Sequence, residues 1–134
     1  MTNGFFFNIS NHSSDQWSEE QKDAARAIAP ELLDIPFPAV PPEADTAEVE
    51  ALADRLIASL HSMDMGVPWE FAKAAMVQGE FTLAAALVRR LQQCGIACYA
   101  ATTQRVVETD AEGRKISIFR FVRFRAYPNL GNGG

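Results

Sequence analysis

Cysteine is scarce in this sequence: Cys94 and Cys98 are the only two in 134 residues. Their C-x3-C spacing has no second cysteine pair and no histidine pair beside it, so neither a disulfide framework nor a structural zinc site is expected. Buried free thiols in a reducing cytosol fit better, and the expected location is cytoplasmic. Long apolar runs are also missing. No stretch approaches the ~20 residues of a membrane span. Phe5-Phe6-Phe7 has no basic segment before it and is too short for the core of a signal peptide. There is no Ser-His-Asp order, no H-E-x-x-H helix and no loop of paired carboxylates, which disfavours triad chemistry and metal-dependent hydrolysis. No metal and no cofactor are expected. Positive charge is in short supply overall, and a net charge of −5 argues against sequence-independent binding of long nucleic acid.

What is present is an ordinary globular composition, 48% hydrophobic and 22% charged. The length suits one domain with a real core. Charge is distributed unevenly. Residues 1–88 carry 4 basic and 14 acidic side chains, a net −10, whereas residues 89–134 carry 8 and 3, a net +5. Acidic surface helices account for much of that split, but not for basic residues inside strand patterns.

Phe71 to Arg105 is the stretch around which the rest is organised. Phe71 to Val77 is an apolar run of strand length. Leu83, Leu87 and Leu91 then repeat at helical spacing, with Gly95 where a C-cap glycine belongs. Ile96 to Ala100 reads as a second buried strand ending in Thr102-Thr103-Gln104-Arg105. Strand, helix, strand at this length is a βαβ unit with parallel strands. Ahead of it, Phe5 to Ile9 reads as a central strand and Leu32 to Ile35 as a short one. Helices start at Ser18 (with Gln21 completing a capping box) and at Asp45 (with Glu48). The prolines of 36–44 make an extended connector, and 61–70 a loop. Val106 to Thr109 and Ile116 to Phe124 read as a β-hairpin around Gly113. In a regular second arm, Phe124 would share a face with Ile116, Ile118 and Val122, opposite Phe119 and Phe121. The expected fold is a single α/β, Rossmann-like domain over 1–127: a mostly parallel sheet flanked by helices, closed by a C-terminal antiparallel hairpin. Residues 128–134 read as a flexible tail.

In parallel sheets ligands collect outside the carboxyl ends of the strands, so the polar clusters there are the candidate site. Gln78-Gly79-Glu80-Phe81-Thr82 offers backbone N–H groups at a helix N-terminus, where an anion is favoured. It is neither a Walker loop nor a dinucleotide fingerprint, and Glu80 is equally well explained as an acid favoured by the helix dipole. Ser10, Asn11 and His12 follow the first strand, and His12 is a candidate general acid or base, or otherwise a solvated loop histidine. Thr102, Thr103, Gln104 and Arg105 supply hydroxyls, an amide and a guanidinium suited to phosphate. Arg123, among the aromatics of the last strand, completes the set.

The order of these motifs carries a resemblance: Asn11-His12, then Gln78-Gly79-Glu80-Phe81, then Thr102-Thr103-Gln104-Arg105, closing with Val122-Arg123-Phe124-Arg125-Ala126-Tyr127. It resembles that of the small stand-alone CRISPR-associated proteins of type III systems, related to CARF-type domains that sense cyclic oligoadenylate. The resemblance spans residues 5–127. It implies a CARF-like fold and a ring nuclease that degrades the messenger, with cyclic tetra-adenylate the expected ligand. The implied roles are catalytic for His12 and Arg105 and ligand-binding for Ser10, Asn11, Gln78 to Thr82, Thr102 to Gln104 and Arg123. A metal-independent route through the ligand's own 2′-hydroxyl needs only alignment and charge stabilisation. A two-fold ligand favours a homodimer. Two alternatives stay open: a member that sequesters the messenger without turnover, and an α/β nucleotide-binding regulatory subunit whose partner does the chemistry.

Overall fold

The computed structural model describes residues 4–62, 66 and 69–130. Five strands form one sheet: β1 Phe5–Ser10, β2 Glu31–Pro36, β3 Ala72–Val77, β4 Ala97–Thr109 and β5 Lys115–Ala126. The order across the sheet is β2-β1-β3-β4-β5, parallel throughout except for the antiparallel β4–β5 pair. Three helices, α1 Glu19–Ile28, α2 Thr46–His61 and α3 Phe81–Gln93, make the crossovers. This is the mixed α/β, Rossmann-like arrangement expected. Of the expected 61–70 loop, residues 63–65, 67 and 68 lie outside the described residues.

Side-chain alternation explains the layers. In β1, Phe6 faces one side and Phe7 and Ile9 the other; in β3, Ala74 and Met76 are set against Ala75 and Val77. The first set packs with Ala25 of α1, Trp17 and Phe124, while the second packs with α2 and α3. Since β1 and β3 are covered on both faces, their near-continuous apolar sequences are what burial requires.

The helix ends follow local chemistry. Ser18 caps α1 by accepting from Gln21 N–H, but the Gln21 side chain reaches Met76 Sδ at 3.7 Å instead of returning to the cap. Asp45 and Glu48 close a full capping box on α2. At the end of α3, Gly95 has φ +81°, its N–H donates to the Gln92 carbonyl at 3.0 Å, and Ile96 N–H donates to that of Leu91 at 3.0 Å. That pair is a Schellman motif, and the positive φ explains the glycine.

Four expectations need correction. First, β4 is one continuous strand: it pairs with β3 only from Ala97 to Tyr99, then runs on with β5 to Thr109. Thr102 to Arg105 are therefore mid-strand residues of a two-stranded arm beyond the sheet, not the end of a strand at its edge. Second, β5 is not regular. Thr102 pairs with Arg123 and Thr103 with Phe121, leaving Val122 as a bulge. The bulge reverses the parity, so Phe121 packs at 5.0 Å from Phe124 instead of opposite it. Third, Cys94 is exposed; only Cys98 is buried, and burial pushes its thiol pKa up to about 12. Fourth, the start of the expected tail is tied down. Gln92 Nε2 donates to the Pro128 carbonyl at 2.9 Å, and Gln92 Oε1 accepts from Leu130 N–H at 2.8 Å.

Candidate functional site

From β1 the chain passes through α1 to β2 on one side, and from β2 through α2 to β3 on the other. The strand order therefore reverses between β1 and β3, the place where α/β sheets open a crevice at their carboxyl ends. A cleft of about 690 Å³ lies there. Ser10, His12, Gln78 and Thr103 provide polar walls; Trp17, Met76, Ala101 and Phe121 provide apolar ones.

A buried network holds the β1 side. Asn8 is 1% exposed. Its Nδ2 donates to the His12 carbonyl at 2.7 Å and to Asp34 Oδ1 at 3.0 Å, and its Oδ1 accepts from the Ser10 hydroxyl at 2.6 Å. His12 N–H in turn donates to Ser10 Oγ at 3.2 Å. Asp34 also accepts from Ser14 N–H and from the Ser13 hydroxyl. Partial burial pushes the Asp34 carboxyl up, but these hydrogen bonds outweigh it and hold it below the usual carboxylate range. The result fixes the backbone of the 11–14 loop while leaving the His12 side chain exposed. A smaller cavity of about 270 Å³ lies behind it, lined by Asn11 and Asp34 and shared with Ser10 and His12.

The opposite wall depends on Gln78. β3 ends at Val77 while β4 continues, so backbone groups that would pair across the sheet lose their neighbours. Ala101 N–H finds Gln78 Oε1 at 2.5 Å, and the Val77 carbonyl accepts from Tyr127 Oη at 2.6 Å. Because its oxygen is committed to Ala101, Gln78 keeps its Nε2 donors for the cleft that it lines.

Of the residues named from sequence, Ser10, His12, Gln78 and Thr103 meet in the cleft, and Asn11 lines the smaller cavity. The others stand elsewhere. Gly79 has no positive φ, and a Cβ built on it would lie 2.6 Å from three atoms of the Phe37 ring. Its job is to let Phe37 approach. The anion seat expected at α3 is already taken. Glu80 is the N-cap, accepting from Leu83 N–H at 2.8 Å and from the Thr82 hydroxyl at 2.5 Å. Those two bonds, Thr82 first, hold its carboxyl below the usual range. An incoming phosphate would face a carboxylate. Phe81 is 88% exposed. Thr102 donates to the Arg123 carbonyl at 3.1 Å, and Gln104 and Arg105 lie out on the arm, where Arg105 bonds Ser117 Oγ at 2.9 Å. Arg120 is the arginine among the lining residues, but the register sets its side chain on the Gln104 face of the arm, away from Thr103 and Phe121, where it pairs with Glu108 at 2.5 Å. Sequence reading did not single out Arg120. It also missed Asn8, although a lone amide inside Phe5–Ile9 was a usable signal.

Among the described residues no group of three or more His, Cys, Asp or Glu side chains is placed to hold a metal ion. None of the described helices is long and apolar enough to cross a membrane. A family model matches residues 5–125, nearly the whole chain. The chain belongs to the uncharacterized protein MJ1673 family. The span matched by the MJ1673 family begins with β1 and ends one residue short of the end of β5, so it takes in both walls of the cleft and the whole arm. No curated protein and no solved structure matches the chain.

Proposed function

We propose that the chain is a metal-independent ring nuclease that binds cyclic oligoadenylate in the β1/β3 cleft and opens the ring, ending a type III CRISPR signal in the cytoplasm. The observation that carries this reading is the make-up of the cleft at the switch point. It combines the aromatic residues Trp17, Phe119 and Phe121 with amides and hydroxyls, the imidazole of His12, Arg120 at its margin and one carboxylate, Glu20. Aromatic faces stack adenines, and amide donors with an arginine suit phosphate oxygens, without a broadly basic surface. The volume lies within the ~300–1,000 Å³ of small-ligand pockets. That is room for part of a cyclic tetranucleotide, so a symmetric pair of chains sharing one ring is the fitting assembly.

In the reaction the ligand's 2′-oxygen attacks the adjacent phosphorus, and the bond from phosphorus to the 5′-oxygen breaks. The products are a 2′,3′-cyclic phosphate and a 5′-hydroxyl. His12 is the group placed to take the 2′-hydroxyl proton or to supply one to the leaving 5′-oxygen. Arg120, not Arg105, is the cation beside the cleft.

The second reading, sequestration without turnover, is favoured by one observation. Among the described residues no side chain orients the His12 ring, and an unoriented imidazole is a weak proton shuttle. Incubating the protein with cyclic tetra-adenylate in EDTA and resolving the products separates the two. Linear products with 2′,3′-cyclic phosphate ends, slowed at least ~100-fold by His12→Ala at unchanged affinity, support cleavage. Intact but tightly held ligand supports sequestration, and absence of binding refutes both.

A further inference from the structure

The arm formed by β4 and β5 lines the cleft through Thr103 and Ile118 to Phe121, yet it leaves apolar side chains exposed. Eight residues of β4, Thr102 to Thr109, run with β5 past the end of β3. At ~3.3 Å per residue the arm reaches roughly 25 Å beyond the sheet. An isolated two-stranded ribbon is marginally stable in water unless a third strand or a helix covers it. Yet this ribbon exposes apolar side chains: Phe119 is 67% and Val107 56% exposed. The register pairs Arg105 with Phe119, Val107 with Ser117 and Thr109 with Lys115, so one face carries Phe119 and Val107 between the two cations Arg105 and Lys115. Residues 102–125 hold 6 basic and 3 acidic side chains, a net +3, against −8 for residues 1–101. The three arm acids are spent on Arg120 and Arg114. The positive excess is thus not compensated within the arm.

We propose that this face of the arm docks on a second copy of the chain, against Glu80 and Phe81 at the carboxyl edge of its sheet. Three observations select that occupant. Phe81 is 88% exposed, so its own arm does not cover it. It stands beside a carboxylate held in its ionised form by Thr82 and Leu83, which makes an apolar anchor with an acidic rim, the complement of Phe119 with Arg105 and Lys115. And α3 begins at the same sheet edge from which the arm departs, so a two-fold axis facing two such edges lets each arm reach the other copy's Phe81. Pairing arm to arm would instead set Arg105 and Lys115 against their own copies, a like-charge arrangement. The contact occurs twice in the dimer and draws on no ligand; Phe119 also lines the cleft, so the test reads oligomeric state without nucleotide and not activity.

The test is sedimentation equilibrium of the full chain without nucleotide, at low and high salt. The expected result is a dimer whose dissociation constant rises with salt as the ion pairs are screened. Phe81→Ser and Phe119→Ser each raise that constant at least ~30-fold, the scale of an aromatic interface anchor, while the melting temperature measured at dilutions where the parent is monomeric stays put because both side chains are exposed. A monomer at every concentration overturns the proposal. So does a dimer indifferent to both substitutions, or one weakened by Phe119→Ser and not by Phe81→Ser, which would place the arm against something other than the α3 edge.

Discussion

Replacing Gly79 by alanine should destabilise the fold through contact with Phe37 alone. The backbone at Gly79 has no positive φ, so a methyl group meets no conformational penalty there. It does meet the Phe37 ring, with three ring atoms 2.6 Å from the ideal Cβ position. Phe37 is 8% exposed and packed in the core beneath α2 and α3, so its ring has little room to pivot. Overpacking of this kind costs about 1–3 kcal/mol. Alanine also lowers the entropy of the unfolded chain, which returns roughly 0.4–1 kcal/mol. The steric effect wins, with a net loss on the order of 1–2 kcal/mol. For a chain of this size that is a Tm lower by about 3–8 °C. Phe37→Leu in the same chain should recover part of the Gly79→Ala loss, because the clashing ring atoms are gone; a double-mutant cycle of urea midpoints measures the coupling. An unchanged Tm for Gly79→Ala, or additive effects in the cycle, would refute this account of the glycine.

Asn8→Asp should be tolerated only at low pH. It sets a buried carboxyl 3.0 Å from Asp34 and removes the donor to the His12 carbonyl. The new group's folded pKa is raised, so its proton is bound more tightly in the folded state and stability rises as pH falls; denaturant midpoints between pH 4 and 7 check the slope. Tyr127→Phe should cost about 1 kcal/mol by removing the donor to the Val77 carbonyl. Burial and the neighbouring Cys98 raise the Tyr127 pKa. Its stabilisation is therefore complete below the ordinary tyrosine pKa and is lost as pH climbs through the raised folded value. Parent and Tyr127→Phe melting curves should converge in alkali, and parallel curves throughout would deny the bond.

The legible parts of this chain were the ones set by neighbours in sequence. Asp45 with Glu48 announces the start of α2, Gly95 announces the end of α3, and the unbroken apolar runs of β1 and β3 announce burial on both faces. The location of Ser10, His12 and Gln78 at the carboxyl ends of the strands followed from the βαβ pattern, whereas the strand order that makes it a switch point did not. The rest was set by partners far along the chain. Nothing local marks Val122 as a bulge, so Phe121 was placed on the wrong face. Nothing local tells Thr102 to Arg105 that β3 has ended beside them while β4 runs on, which is why they read as the polar end of a strand at the sheet edge. Glu80 fits an anion seat and a cap equally well in sequence, and only its bonds to Thr82 and Leu83 decide for the cap. The role of Gln78 rests on Ala101, 23 residues away.

Calorimetric titration of the parent chain and of Gln78→Glu with cyclic tetra-adenylate tests the cleft most directly. Glutamate keeps an oxygen for Ala101 N–H, so the wall stays built, but both donors facing the ligand are replaced by a charged oxygen. The account predicts saturable binding to the parent and an affinity lower by about tenfold to a hundredfold in Gln78→Glu, with an unchanged melting curve. Equal affinity in the two proteins, or no heat of binding with the parent, would contradict it.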